Sequence, residues 1–224
     1  MPFNMVKSFA IKGNKTILVD TGVPGSSKNI LRELGKNGIN KKDISLIVLT
    51  HSHSDHSGSA KELRELLDVP IAAHKAEVSD IEQGIKRPYS PTSFAGKIWK
   101  YMPPATASYD PVKVDIVIED ETSLENFGVD AGIIHTPGHT PGSISVVVQN
   151  KTVIAGDLLA GGIIIGGIAK QSKPMLPPFQ EDIPETKKSL EKVLALNPET
   201  IHVCHGGPLD IRLIEKMLNE YSWN

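Results

Sequence analysis

One cysteine, Cys204, is all the sequence offers in 224 residues. No intrachain disulfide framework is therefore available, and a reducing compartment is expected. A charge excess is also missing, since 24 basic side chains face 26 acidic ones. Without a strong field of one sign, neither nucleic acid nor an anionic membrane is the expected partner. Long apolar runs are absent too. The longest uncharged apolar run, 160–169, is glycine-rich and too short for a bilayer, and residues 1–13 hold no apolar core of signal-peptide length. These absences leave a cytoplasmic protein acting on a small molecule.

What is present is a regular alternation of apolar runs and turns. Residues 6–11 and 15–20 read as a hairpin turning through Lys12, Gly13 and Asn14, and 27–38 reads as a helix with Ile30, Leu31 and Leu34 inward. A buried strand follows at 44–49, then a helix at 59–67 and a short strand at 70–73 ending at His74. That β-α-β-α-β order implies crossover connections and a helix-covered sheet. Further on, 115–118, 129–135, 144–148, 152–155 and 200–203 read as strands, 161–178 as a loose loop, and 185–196 and 210–221 as helices. A faint repeat supports two similar halves: the runs beginning at Asn14 and Asn150 are alike, and each closes on an aspartate, Asp20 or Asp157.

Residues 85–111 break the alternation. Five aromatic side chains gather here (Tyr89, Phe94, Trp99, Tyr101 and Tyr109), with five prolines and a mostly basic charge. Such an irregular stretch is expected either to act as a lid or to pack as an insertion on its own aromatics. Near the C-terminus, Tyr221 and Trp223 could pack on the core or on a partner copy in a homodimer.

The chemistry concentrates at 50–58, where Thr50, His51, Ser52, His53, Ser54, Asp55, His56, Ser57 and Gly58 follow the strand at 44–49. Imidazoles and a carboxylate crowded at a strand end are costly unless they bind something, and neutral imidazole with carboxylate is the donor set of a zinc-type ion. His139, Asp157 and His205 each lie at the end of a later strand. One isolated histidine is usually a packed or surface residue, but His-x-His-x-Asp-His is an uncommon spacing. Seven candidates suggest two metal ions sharing a ligand. Cys204 beside His205 offers a Cys–His nucleophile as a weaker option. His135 is expected beside the ligands without being one, and His74 and His202 are expected to be structural.

These residues resemble the metallo-β-lactamase superfamily. The stretch 50–58 carries the likeness, with Asp20-Thr21-Gly22, Thr136-Pro137-Gly138-His139-Thr140-Pro141-Gly142, Gly156-Asp157 and His205-Gly206 in the family's order. The resemblance implies a four-layer αβ/βα sandwich with metals at the shared sheet edge, formed by one domain over 1–224 with the 85–111 insertion. By the same resemblance, His51, His53 and His139 would hold one ion and Asp55, His56 and His205 the other. Asp157 would bridge them, and Asp20 would stand behind, orienting the ligand loop. Two divalent ions, zinc or else manganese or iron, would then make hydroxide available near neutral pH. Asp55 is the candidate to pass a proton.

Within the family, His56 argues against the penicillin-opening zinc enzymes, whose equivalent is usually not histidine. The short tail beyond His205 argues against the helical C-terminal domain of glyoxalase II. Ala160 stands where the acyl-homoserine lactonases often have tyrosine. The expected activity is hydrolysis of a small carboxylic ester, thioester or lactone by hydroxide held between two ions. An iron-dependent thiol or persulfide dioxygenase, a phosphodiesterase of the same fold and a non-catalytic metal-binding domain remain as alternatives.

Overall fold

The chain opens on a hairpin, β1 (Phe9–Lys12) and β2 (Thr16–Val19), paired antiparallel around Gly13. Helix α1 (Ser27–Lys36) crosses over to β3 (Ile44–Val48), which runs parallel to β2. A one-turn helix α2 (Ser54–Ser57) and α3 (Ala60–Leu67) lead to β4 (Ile71–His74), and α4 (Lys75–Gln83) and α5 (Phe94–Trp99) lead to β5 (Ile116–Ile118). Together they form a five-stranded sheet in the order β1-β2-β3-β4-β5. The computed structural model describes residues 6–85, 87, 90–92, 94–99, 101, 108–162 and 169–223.

A second five-stranded sheet has the order β12-β9-β8-β7-β6, built from β6 (Thr122–Ser123), β7 (Ala131–His135), β8 (Ile144–Val148), β9 (Thr152–Ile154) and β12 (Thr200–His202). A two-stranded ribbon of β10 (Ala160–Gly161) and β11 (Pro174–Met175) and the helix α6 (Ile183–Ala195) separate β9 from β12, and α7 (Ile211–Glu220) follows. The Asn14 and Asn150 repeat has a structural counterpart. Each repeat strand, β2 and β9, pairs antiparallel with the strand before it and parallel with a strand reached across a helix.

Strand residues alternate between two faces, and here both faces are apolar. Ile17, Val19, Leu46 and Val48 of the first sheet meet Ala131, Ile133, Ile144, Val146 and Ile154 of the second in a central layer. Leu18 and Ile47 face outward onto Leu34, Leu63 and Leu67 of the covering helices. On the far side Val147, Val153 and Ile201 pack on Leu190, Val193, Ile214 and Trp223. Three apolar layers between four layers of structure give the αβ/βα sandwich that the sequence implied. Trp223 belongs to the chain's own core, while Tyr221 packs edge-on against it and stays exposed. No helix among the described residues is long and apolar enough to cross a membrane.

Several elements depart from the sequence reading. Residues 54–57 form a helical turn that the sequence reading did not anticipate. Helix α4 was not anticipated because its start lacks the usual Ser, Thr, Asp or Asn; instead the N-cap His74 accepts from Ala76 N through Nδ1 at 3.3 Å. The stretch 161–178, expected as loop, contains β11 and part of β10, and β6 was not anticipated. In the 85–111 stretch, expected as a lid or as a packed insertion, residues 86, 88, 89, 93, 100 and 102–107 lie outside the described residues. Its described parts are stitched down: Pro91 bridges Phe179, Thr92 N donates to Pro178 O at 2.9 Å, and Tyr109 Oη donates to Asp80 O at 3.3 Å.

One ion pair ties the first sheet to its helices. Arg64 of α3 reaches Asp115, just before β5, through Nε at 3.1 Å and Nη2 at 2.8 Å, and Asp115 Oδ2 also accepts from Ile71 N at 3.1 Å. The hydrogen bonds from Arg64 hold the Asp115 carboxyl below its ordinary value. A depressed folded pKa stabilises the fold above the unfolded carboxyl pKa, and the contribution disappears as pH falls through the folded one. Asp115→Asn is expected to cost about 1 kcal/mol near neutral pH, because the pair is bidentate but partly exposed. Urea midpoints of the two proteins should converge as pH falls below the ordinary carboxyl range.

Candidate metal centre

The strands β7, β9 and β12 are mutually parallel, so the segments after them emerge at one end of the second sheet. Those segments carry His139, Asp157 and His205. The segment after β3 delivers His51, His53, Asp55 and His56 to the same place, and Ile144 N donates to Thr50 O at 3.1 Å where the sheets meet. Every residue expected at the site from sequence is brought together there. His51, His53 and His139 form one nest of facing donor atoms, and Asp55, His56 and His205 form another, with Asp157 grouped with His51 and His56.

The local chain explains the placement. Thr21, in the Asp20-Thr21-Gly22 turn, donates through both N and Oγ1 to His56 O at 2.7 Å, fixing α2 against the first sheet. The helical turn of α2 points Asp55 and His56 to a different nest from His51 and His53. Gly138 has φ +135°, a region open to glycine, and a Cβ there would lie 2.3 Å from Thr186 Oγ1 on α6. The turn carrying His139 can therefore seat against α6 only with glycine at this position.

Hydrogen bonds on the far side of the rings fix which nitrogen faces inward. Thr50 Oγ1 donates to Asp20 Oδ2 at 2.8 Å, so it accepts from His51 Nδ1 at 3.1 Å. His139 Nδ1 donates to Phe179 O at 2.9 Å and Gln180 Oε1 at 2.8 Å. His56 Nδ1 donates to Asp20 Oδ2 at 2.8 Å. The Nε2 lone pairs of His51 and His139 are left facing His53 Nδ1, 3.0 Å from each. A single proton on His53 Nδ1 would have to be shared between both lone pairs, whereas one cation satisfies all three ring nitrogens.

The second nest has unpartnered atoms of its own. His56 Nε2 and Asp157 Oδ1 are buried with no hydrogen-bond partner. Asp157 Oδ2 lies 3.2 Å from His205 Nε2, 3.5 Å from His56 Nε2 and 3.7 Å from His139 Nε2, so one oxygen borders both nests. Asp55 Oδ2 lies 3.3 Å from His205 Nε2 and 3.8 Å from His56 Nε2. Burial, then the neighbouring imidazoles, holds His51 and His53 well below the ordinary histidine range, keeping the neutral form that ligates metal. Burial also opposes charge on His56 and His205, but Asp157 and Asp55 outweigh it, raising His56 well above its usual value and His205 to about 10. Against the same burial, His56 and His205 hold Asp55 and Asp157 below the usual carboxylate range. Ring nitrogens and carboxylate oxygens converging in one buried cluster, two of them without a hydrogen-bond partner, match the donor chemistry of a divalent ion.

Other sequence candidates lie outside the nests. Cys204 is buried, and burial followed by Asp20 pushes its thiol well above the usual value, which leaves it unreactive. Its Sγ donates to Asp20 Oδ2 at 3.2 Å. His135 stacks on His74 with centroids 4.0 Å apart and donates through Nε2 to Pro141 O at 2.8 Å, bracing the loop after His139. His202 packs against Phe9. Sequence reasoning missed Gln180, which orients His139, and the role of Thr50. Neither carries a local signal, because both depend on how distant loops fold together.

A family model described as the metallo-beta-lactamase superfamily matches residues 1–205. The chain belongs to the metallo-β-lactamase superfamily. Among its relatives in the superfamily, the probable metallo-hydrolase MJ0888 of Methanocaldococcus jannaschii is 33% identical over 156 residues, 70% of this chain and 68% of that protein. The probable metallo-hydrolase YflN of Bacillus subtilis is 28% identical over 217 residues, covering 92% of this chain and 81% of its own. The crystal structure of the archaeal superfamily protein ST1585 from Sulfolobus tokodaii has the same fold, with a TM-score of 0.70 at 22% identity over 97% of this chain and 80% of that one. The His/Asp clusters are those of a metallo-β-lactamase-fold protein able to hold divalent metal.

Proposed function

We propose that this protein is a dinuclear metal-dependent hydrolase of a small carboxylic ester, thioester or lactone. His51, His53 and His139 would hold one ion and Asp55, His56 and His205 the other, with Asp157 placed beside both sets. The observation that carries this reading is the position of Asp157 Oδ2, within 3.7 Å of ring nitrogens from both nests. Five imidazoles among the donors favour zinc over harder ions. When bound there, such ions would supply Lewis acidity toward a carbonyl oxygen and lower the pKa of a water toward neutrality.

The chain's own residues do the rest. Asp20, through Thr50 and directly, holds His51 and His56 in the tautomers that present Nε2 inward. Gln180 and the Phe179 carbonyl do the same for His139. The Asp55 side chain, 18% exposed where the other carboxylate of the nests is 6% exposed, stands on the open side. It is placed to take a proton from the attacking water and hand it to the leaving group. The basic, aromatic character of 85–111 supports a substrate with an acyl chain or an anionic group.

Kinetics of the zinc-loaded protein with a panel of carboxylic esters, thioesters, lactones and phosphodiesters test the substrate class. Turnover is expected with at least one of the first three. Activity confined to phosphodiesters, or oxygen uptake by an iron-loaded form acting on thiols, would overturn the assignment.

A further inference from the structure

Helix α4 carries a carboxylate that the proposed reaction does not use. Glu77, the third residue of the helix, is fully buried at 0% exposure. A glutamate at this position commonly reaches back to the N–H of its own N-cap. Glu77 reaches away. Its Oε2 accepts from Ser52 N at 2.9 Å and its Oε1 from Gly142 N at 2.9 Å. Ser52 lies between His51 and His53, and Gly142 ends the Thr136–Gly142 motif that carries His139. The approach is close: a Cβ on Gly142 would lie 2.6 Å from Glu77 Cγ and Oε1.

The carboxylate is itself braced. Arg87 Nη2 comes within 3.9 Å of Glu77 Oε1, and the same guanidinium donates to Asp80 Oδ2 at 2.8 Å, Ala76 O at 3.2 Å and Glu181 Oε1 at 3.3 Å. Glu181 N in turn donates to Gly138 O at 3.0 Å and His139 O at 3.3 Å. One arginine therefore links α4 to the strand of chain that supports His139.

Burying a carboxylate is costly even when it is hydrogen-bonded, and an apolar side chain would fill the same space without that cost. What only an acceptor of two bonds can do here is join two loops that arrive from different sheets. We propose that Glu77 is a positioning residue that sets His51 and His53 against His139, and thereby tunes the affinity of the three-imidazole nest for its ion. Arg87 holds the Glu77 carboxylate in place. The clamp rests on the reading that this nest holds a divalent ion.

Cobalt(II) titration of metal-free protein, followed by visible absorption and by competition with a chromophoric chelator, tests it. A His205→Ala protein assigns the spectrum of the three-imidazole site. Glu77→Gln can accept only one of the two N–H groups and turns an amide N–H at the other. It is expected to weaken the three-imidazole site tenfold or more while the site of Asp55, His56 and His205 keeps its affinity. A folded Glu77→Gln protein with both affinities unchanged, or with both reduced alike, overturns the clamp. Should Glu77→Gln not fold, Gly142→Ala displaces the same carboxylate from the other side; the same selective weakening is expected, and its absence overturns the clamp. A wild-type protein that takes up no ion in this nest overturns the metal-site reading itself, and that result is seen without any substitution.

Discussion

Asp157→Asn is expected to lower kcat/KM on the order of 10³-fold or more while leaving the fold intact. The side chain keeps its volume, and its neighbours in the apolar core are untouched. What it loses is the negative charge that borders both nests, 3.2 Å from His205 Nε2 and 3.7 Å from His139 Nε2. An amide also turns a donor N–H toward nitrogens or ions that need an acceptor. Metal-assisted hydrolysis draws several kcal/mol of barrier lowering from such ions, and each factor of ten corresponds to about 1.4 kcal/mol. Steady-state kinetics, read beside a thermal melt, check both halves of the expectation. A variant that retains a third of wild-type turnover would show that the shared carboxylate is not needed.

The second large effect concerns Asp20, which never faces the nests. Its carboxylate is buried and accepts from Thr50 N and Thr50 Oγ1, both at 2.8 Å, from His56 Nδ1 at 2.8 Å and from Cys204 Sγ at 3.2 Å. Three of those donors converge on Oδ2. In Asp20→Asn that atom or its partner becomes an N–H, so donors face donors at the centre of the molecule. Leaving buried polar groups unsatisfied costs roughly 1–3 kcal/mol each, and more for charged groups. The variant is therefore expected to lose about 3 kcal/mol of stability. His56 also loses the bond that fixes its tautomer, and metal affinity at its nest should fall about 10–100-fold. Urea unfolding of the metal-free proteins and chelator competition of the loaded ones measure the two losses separately. Equal stability in the metal-free forms would contradict the role given to Asp20.

The two substitutions on loop-orienting acids are expected to differ in kind. Asp20 holds His51 through Thr50 and His56 directly, so its loss reaches both nests. Glu77 contacts the loops that carry His51, His53 and His139 through their backbone N–H groups. A contrast between a broad and a selective loss of affinity follows from those contacts.

Much of the site is legible in the sequence because its candidate ligands sit at strand ends, where local pattern is strong. The apolar run at 44–48 announces β3, and the histidines follow at once. The glycines and prolines of 136–142 mark a turn that geometry then explains at Gly138. The two faces of each strand are also readable, since Ile17, Leu18 and Val19 are apolar on both sides, as a strand enclosed between layers must be. What escapes is whatever depends on contacts between distant segments. Helix α4 begins with a histidine cap and has few apolar residues, so neither its start nor its stripe stands out, although Gly84, at φ +63°, marks its end. With the helix unread, Glu77 could not be placed. Gln180 looks like any polar loop residue until the 177–181 segment folds against His139. Asp20 and Asp157 close similar strands, yet one stands behind the rings and the other between the nests; no feature of the repeat distinguishes them.

The most direct test of the account is the metal content of the protein and its bearing on turnover. Purified protein dialysed against zinc, freed of excess ion and analysed for metal should carry two divalent ions per chain. Removal with a chelator should abolish hydrolysis, and stoichiometric zinc should restore it. One ion or fewer per chain under saturating zinc, or turnover that survives complete removal of metal, would contradict the dinuclear site.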